Sequence, residues 1–415
     1  MPLALPQHLL RKKKLNMHQL NQEILGKYAD LMVNFAAGGG EGVKAGEVVS
    51  ISYGSGIALP LAIELSRAAT KVGALIIDSP FTPGMIHVLL EGGNEEQVQW
   101  LSNSSLAREE EINHLIQVAP VYPQDEFEGI TQEQIRIYSE GKTPIREIRA
   151  NREAEGNFAW TLCRFPTQEE ADLAGISLEK LWEVVIAACY LNELNPVEKW
   201  KEIQERIKFN REKLDKLGNV EFQIKNKSTD LTVQVGENRR WNGGSTINMP
   251  SFEVWTSPDY RSVNGYVYFN TPRILNGKVL KGVKLVFVNG VVTEATAEEG
   301  LEELNGLIGT NGCNIVGELA FTDKTLSNIS DFTANTLYDE NMGGFHLALG
   351  RCYPDTYTGD STNDEELAAR GFSGRATPLH VDFVSTEPVQ VTAKSLDDST
   401  PQKELVIIDD GIFVW

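Results

Sequence analysis

The residues best able to do chemistry lie late in the chain. In TPLHVDFVST, His380 and Asp382 stand two apart within an apolar, β-branched run. Side chains of a strand alternate between its faces, so this spacing aims an imidazole and a carboxylate at one point. Taken alone, the pair reads as a hydrogen-bonded couple at a sheet end. Upstream, His346 sits in GGFHLALG, while Glu253 in NMPSFEVWTSP, Glu318 in NIVGELAFTD and Glu340 in TLYDENMGG occupy apolar or turn-bounded settings. A lone anion closing an apolar run such as Asn314 to Gly317 is costly to bury, so it needs a cation or a hydrogen-bonded partner. Two imidazoles with three or four carboxylates and no thiolate suit a pair of hard or borderline dications, Zn, Co, Mn or Mg. Such a pair acidifies a bridging water and holds both the attacking and the leaving atoms of a hydrolysis.

The remaining chemistry-bearing residues add little. Of six histidines, His8, His18, His87 and His114 fall in the first third and read as surface or capping groups on helices, their edges or the terminal arm. Cys163, Cys189, Cys313 and Cys352 are far apart with no Cys-x-x-Cys spacing, which argues against a disulfide framework or a cysteine zinc knuckle and suits a reducing cytoplasm. The glycines of YGSGIALP lack the third position of a dinucleotide fingerprint, leaving a plain strand-to-helix turn.

These groups must be positioned by a chain of 415 residues, long enough for two or three domains. Its composition, 41% hydrophobic and 23% charged, is that of a soluble globular protein, and no apolar run reaches membrane-spanning length. A net charge of -20 argues against nucleic-acid or anionic-membrane partners, the basic run Arg11 to Lys14 reading as a solvated arm. From Met17 the first third alternates helix and strand: a helix to Phe35, strands at 48–54 and 73–79, and a helix at 60–70 between them. That alternation implies a Rossmann-like α/β domain with a parallel sheet. The middle is helical, with Asn195 as N-cap, Pro196 at the first position and Gly218 as the stop. From about residue 220 the texture becomes strands and turns, including a hairpin at Asn289-Gly290. The fold expected is α/β plus α+β: an N-terminal α/β domain over 1–165, then an α+β domain over 166–415 that carries the candidate metal ligands. The acidic stretches 360–366 and 395–398 read as solvated loops.

Taken in order, INMPSFEVWTSP, IVGELAF, TLYDENMGGFHLALGRCY and LHVDF closely resemble segments of the aminopeptidase T, aminopeptidase S and PepS family of dinuclear metalloaminopeptidases. GEVVSISYGSGIALPLAIELSRAATKVGA and STDLTVQVGENRRW extend the likeness over nearly the whole sequence. The resemblance implies a cytoplasmic, homodimeric exopeptidase that takes peptides with a free N-terminus and carries two divalent metal ions. Its metal ligands would be Glu253, Glu318, His346, His380 and Asp382, with Tyr353 also at the metals. Glu340 would be a further ligand or a carboxylate just behind them. A bridging water or hydroxide would attack the first peptide bond, with Glu318 moving the proton and Tyr353 stabilising the oxyanion. This sequence departs from the family pattern in a longer spacer between Glu340 and His346. Two other classes would use the same cleft: a non-proteolytic dinuclear metal amidase, and an inactive peptide-binding scaffold.

Overall fold

The computed structural model describes residues 22–54, 56–82, 84–119, 129–275, 277–374, 379–397 and 404–415. The basic arm, His8, His18 and the expected helix start at Met17 lie outside the described residues.

The first third is built on four parallel strands, β1 (Val48–Gly54), β2 (Leu75–Phe81), β3 (His114–Ala119) and β4 (Ala159–Arg164), in spatial order β2-β1-β3-β4. The helix Leu59–Val72 makes the first crossover and stops at Gly73, whose φ of 85° lies in the left-handed region open to glycine. The preceding helix is α-helical over Gln22–Leu31 and then widens to a π-helical turn over Met32–Ala36. His114 corrects the surface reading given to it: it opens β3, is 7% exposed, and its Nε2 lies 2.8 Å from Glu47 Oε2. The periodic signal there is a strand, and a neighbouring carboxylate satisfies one ring nitrogen. All four cysteines are buried and unpaired.

A long helix, Pro196–Asp215, links this region to the strands that follow. The Asn195 side chain accepts the Glu198 N–H at 3.3 Å, capping its first turn. Its apolar stripe, Trp200, Ile203, Ile207 and Leu214, is buried, and Trp200 stacks on Phe252 with ring centroids 4.9 Å apart. The helix therefore pins the backbone just before Glu253.

Among the described residues the strands after residue 220 form two large antiparallel sheets and a two-stranded one, Arg273–Leu275 with Lys278–Leu280. The larger has eight strands, running spatially from Val291–Thr296 through Asp259–Phe269 and Val220–Lys225 to Ile412–Phe413. Its hairpin turns at Asn289 (φ 48°) and Gly290 (φ 83°). A Cβ on Gly290 would stand 2.1 Å from Tyr260 O, so no other residue fits that turn. The smaller sheet has five strands: β5 (Asn242–Gly243), β6 (Glu253–Thr256), β7 (Val316–Thr322), β8 (Gly344–Gly350) and β9 (His380–Ser385), ordered β9-β8-β7-β6-β5. One contiguous apolar core runs from Leu25 to Ile408 and includes Ile51, Ile116, Trp200, Phe222, Phe321 and Phe383. The fold is thus mixed α/β, with one parallel sheet and antiparallel sheets beside it. The acidic stretch 360–366 is not all loop, since Asn363 caps a short helix, Asp364–Ala369, whose acidic first turn favours it.

Candidate metal centre

The five-stranded sheet brings the sequence-predicted donors together through its register. Ala320 lies opposite His346, Ala348 opposite both Glu318 and Asp382, and Gly350 opposite His380. Directly paired residues share a face, so Glu253, Trp255, Glu318, His346, His380 and Asp382 all project to one side. The residues interleaved among them on that side, Ala320, Ala348 and Gly350, are small. Long donors can therefore lean over their neighbours and converge. The opposite face carries Leu319, Phe321, Phe345, Leu347, Leu349, Val381 and Phe383, all buried in the core.

The convergence is tight. His346 Nε2 lies 3.3 Å from Glu318 Oε1 and 3.6 Å from Glu253 Oε2, while His380 Nε2 lies 3.0 Å from Glu318 Oε2 and 3.2 Å from Asp382 Oδ1. Two triads result, Glu253–Glu318–His346 and Glu318–His380–Asp382, the ligand atoms of each lying within 4.8 Å of one another. Glu318 belongs to both, one oxygen facing each. His380 Nδ1 lies 2.6 Å from Arg351 O, and donation to that carbonyl leaves Nε2 as the nitrogen turned to the carboxylates.

The electrostatics of this cluster show an unmet need for positive charge. Burial pushes Glu253 up to about 8, with Glu318 and Asp382 adding to the rise against the pull of His346 and His380. Burial would raise Glu318 as well, but hydrogen bonds to His346 and His380 hold it below its ordinary value. Asp382 is likewise lowered, its desolvation overridden by His380. Burial works against a charged His346, yet Glu318, Glu253 and Asp382 hold its proton up to about 9. His380, also desolvated, is carried by Asp382 and Glu318 to about 11. The donor set of three carboxylates and two imidazoles fits hard or borderline divalent ions, whose binding would compete with the raised proton affinity of Glu253, His346 and His380.

Tyr353 and Glu340 stand beside the triads, outside them. The Tyr353 ring lies 4.8 Å from the His380 ring and 4.6 Å from that of Trp255. Burial and the surrounding carboxylates push its hydroxyl upward, keeping it an O–H donor at neutral pH. Glu340 directly follows the short helix Thr336–Asp339 as its C-cap residue. The buried Asn341 next to it accepts the Phe252 N–H at 2.5 Å and donates to Leu337 O at 3.1 Å, which fixes Glu340 relative to Glu253. Burial and the charges of Glu253, Asp382 and Glu318 raise Glu340 well above its ordinary value. All seven sequence-predicted residues line one cavity of about 320 Å³.

The same cavity is lined by residues that the sequence reading passed over: Trp160, Ile247, Asn248, Ser251 and Trp255. Trp255 had a usable signal, since it lies two residues from Glu253 and so on its face. Trp160 had none, because it reaches the cleft from the edge of the parallel sheet.

Buried, hard-donor triads lining a cavity could hold metal ions, as a metal-dependent hydrolase requires. The protein belongs to the thermophilic metalloprotease (M29) family, whose model matches residues 21–413. It is similar to aminopeptidase PepS of Streptococcus thermophilus, 26% identical over 411 residues covering 88% of this sequence and 92% of that one. Aminopeptidase T of Thermus aquaticus is 30% identical over 292 residues, covering 65% of this sequence and 67% of its own. The solved structure of wild-type AmpT from Thermus thermophilus superposes with a TM-score of 0.77 at 22% identity, covering 95% of this protein and 100% of that one, a likeness of fold.

Proposed function

We propose that the protein is a metal-dependent aminopeptidase, an exopeptidase that hydrolyses the N-terminal peptide bond of peptides through two divalent ions sharing Glu318. Membership of a metalloprotease family and the aminopeptidase names of its relatives support the reaction class. The observation that carries the two-ion reading is that one carboxylate serves two otherwise separate triads. Glu253 and His346 would hold one ion, His380 and Asp382 the other. When bound, the ions supply a Lewis acid for the scissile carbonyl and a water acidified toward neutrality.

The side chains divide the remaining work. Glu318 was expected to act as both ligand and proton carrier, but with an oxygen committed to each triad it has none free to take a proton. Glu340 fits the carrier role better by position, since it lines the cavity outside the triads; bound dications would offset the neighbouring carboxylate charge that raises it and leave it ionised to take a proton. It accepts a proton from the attacking water and returns it to the leaving amine. The Tyr353 hydroxyl donates to the developing oxyanion. Residues 166–415 carry the donors, and residues 1–165 supply a wall of the cleft through Trp160.

The test is hydrolysis of leucine p-nitroanilide and of free dipeptides, before EDTA treatment and after readdition of Zn²⁺, Co²⁺ or Mn²⁺. Metal-restored release of the N-terminal residue from both is expected. Cleavage of simple amides without dipeptides, or no turnover with any metal, contradicts the reading.

A further inference from the structure

The wall facing the metal-ligand sheet is held with unusual firmness for a loop. Residues 246–249 run alongside β4, the edge of the parallel sheet. The Leu162 N–H donates to Ile247 O at 2.6 Å, the Met249 N–H to Leu162 O at 2.9 Å, and Thr161 Oγ1 to Thr246 O at 2.6 Å. Three hydrogen bonds over four residues fix Ile247 and Asn248 against Trp160. The segment then continues into β6 and Glu253.

The segment starts at exposed Ser245, keeps Ile247 and Asn248 half-buried, and is buried from Met249 to Glu253. Three polar groups on this wall line the cavity: the Trp160 indole, the Asn248 carboxamide and the Ser251 hydroxyl. Among the described residues none of these side-chain groups has a hydrogen-bond partner, and none is sealed from the cavity. Unspent donors and acceptors on a rigid wall are the means by which a pocket fixes a polar ligand.

We infer that Trp160, Asn248 and Ser251 form a subsite for the peptide backbone beyond the scissile bond. This rests on the aminopeptidase reading and deepens it. A peptide laid along 245–253 places its free N-terminus at the carboxylates and its following residues at the rim. There the carboxamide pairs with a backbone carbonyl or amide of the substrate, and the indole N–H with a carbonyl. The substrate class is therefore peptides of three or more residues, favoured over amino-acid amides and anilides that end at the scissile bond.

The experiment compares leucyl-glycyl-glycine with leucine p-nitroanilide on the metal-loaded wild type, Asn248→Ala, and Trp160→Phe, which keeps a ring and loses the N–H. Each variant should raise KM for the tripeptide roughly three- to tenfold, the worth of one net hydrogen bond. Its kcat, its anilide kinetics, its metal content and its melting temperature should stay at wild-type values. The double variant should multiply the two KM effects. Equal loss on both substrates, or unchanged tripeptide KM in both variants, overturns the subsite while leaving the enzyme class intact. A metal-loaded wild type inactive on both substrates overturns the enzyme reading instead.

Discussion

The two faces of the five-stranded sheet are made from the same strands and are both largely buried, yet they are chemically opposite. Along β7 to β9 one face reads Glu318, Ala320, His346, Ala348, His380, Asp382. The other reads Leu319, Phe321, Leu347, Leu349, Val381, Phe383. A strand buried on both sides ordinarily carries a continuous apolar run, because unpaired charge there is costly. A period-two insertion of charge into such a run therefore marks a face that stabilises something other than the fold. The core face holds the sheet in place, and on the proposed reading the donor face gives up apolar burial to hold cations.

Substitutions on the two faces should separate cleanly. Glu318→Gln removes the shared donor, so it should abolish turnover and lower metal content at both triads, read by elemental analysis and peptide hydrolysis. Glu340→Gln should cut kcat about 10²- to 10⁴-fold, the usual range for a general base, with metal content retained. If Glu340→Gln instead loses metal, it belongs to the donor set. On the core face, Phe321→Ala should cost about 3–5 kcal/mol of stability by denaturant unfolding, while the protein that remains folded still binds metal. Between the faces lies the spacer row. Ala348→Leu overfills the gap between Glu318 and Asp382, costing about 1–3 kcal/mol and weakening metal binding more than stability.

The smallest predicted effect is a pH dependence confined to the donor face. In the metal-free protein Glu253 is raised to about 8, His346 to about 9 and His380 to about 11. All three are raised, so their contribution to stability is complete below their unfolded values. For the histidines it fades as pH rises from about 6.5 through about 9 and 11. Metal must displace these protons, so uptake at pH 7 should release protons in calorimetry across buffers, and affinity should tighten as pH rises through about 8. The melting-temperature gap between loaded and metal-free protein should widen over the same range. A gap that narrows would mean that these groups do not compete with the metal.

Much of this was legible in the sequence because strand periodicity is local. The spacing of His380 and Asp382 predicted a shared face, Asn289-Gly290 predicted its hairpin, and Asn195-Pro196 predicted the helix start that pins Phe252. Glu253 and Glu318 were legible as carboxylates in apolar settings, and His346 because the histidines of the first third read as surface or capping groups. Their meeting point was not, since it depends on cross-strand register, in which Ala348 happens to separate Glu318 from Asp382. Trp160 and Asn248 stayed hidden for a similar reason: only the hydrogen bonds between β4 and residues 246–249 bring them to the cleft. His114 was misread because a strand's first residue can be buried and paired while its sequence neighbours look like a helix edge.

The most direct test of the shared-carboxylate account is anomalous diffraction from crystals loaded with Zn²⁺ or Mn²⁺. The account predicts two peaks flanking Glu318, one against Glu253 and His346 and one against His380 and Asp382. A single peak, or two peaks with Glu318 contacting neither, would contradict it.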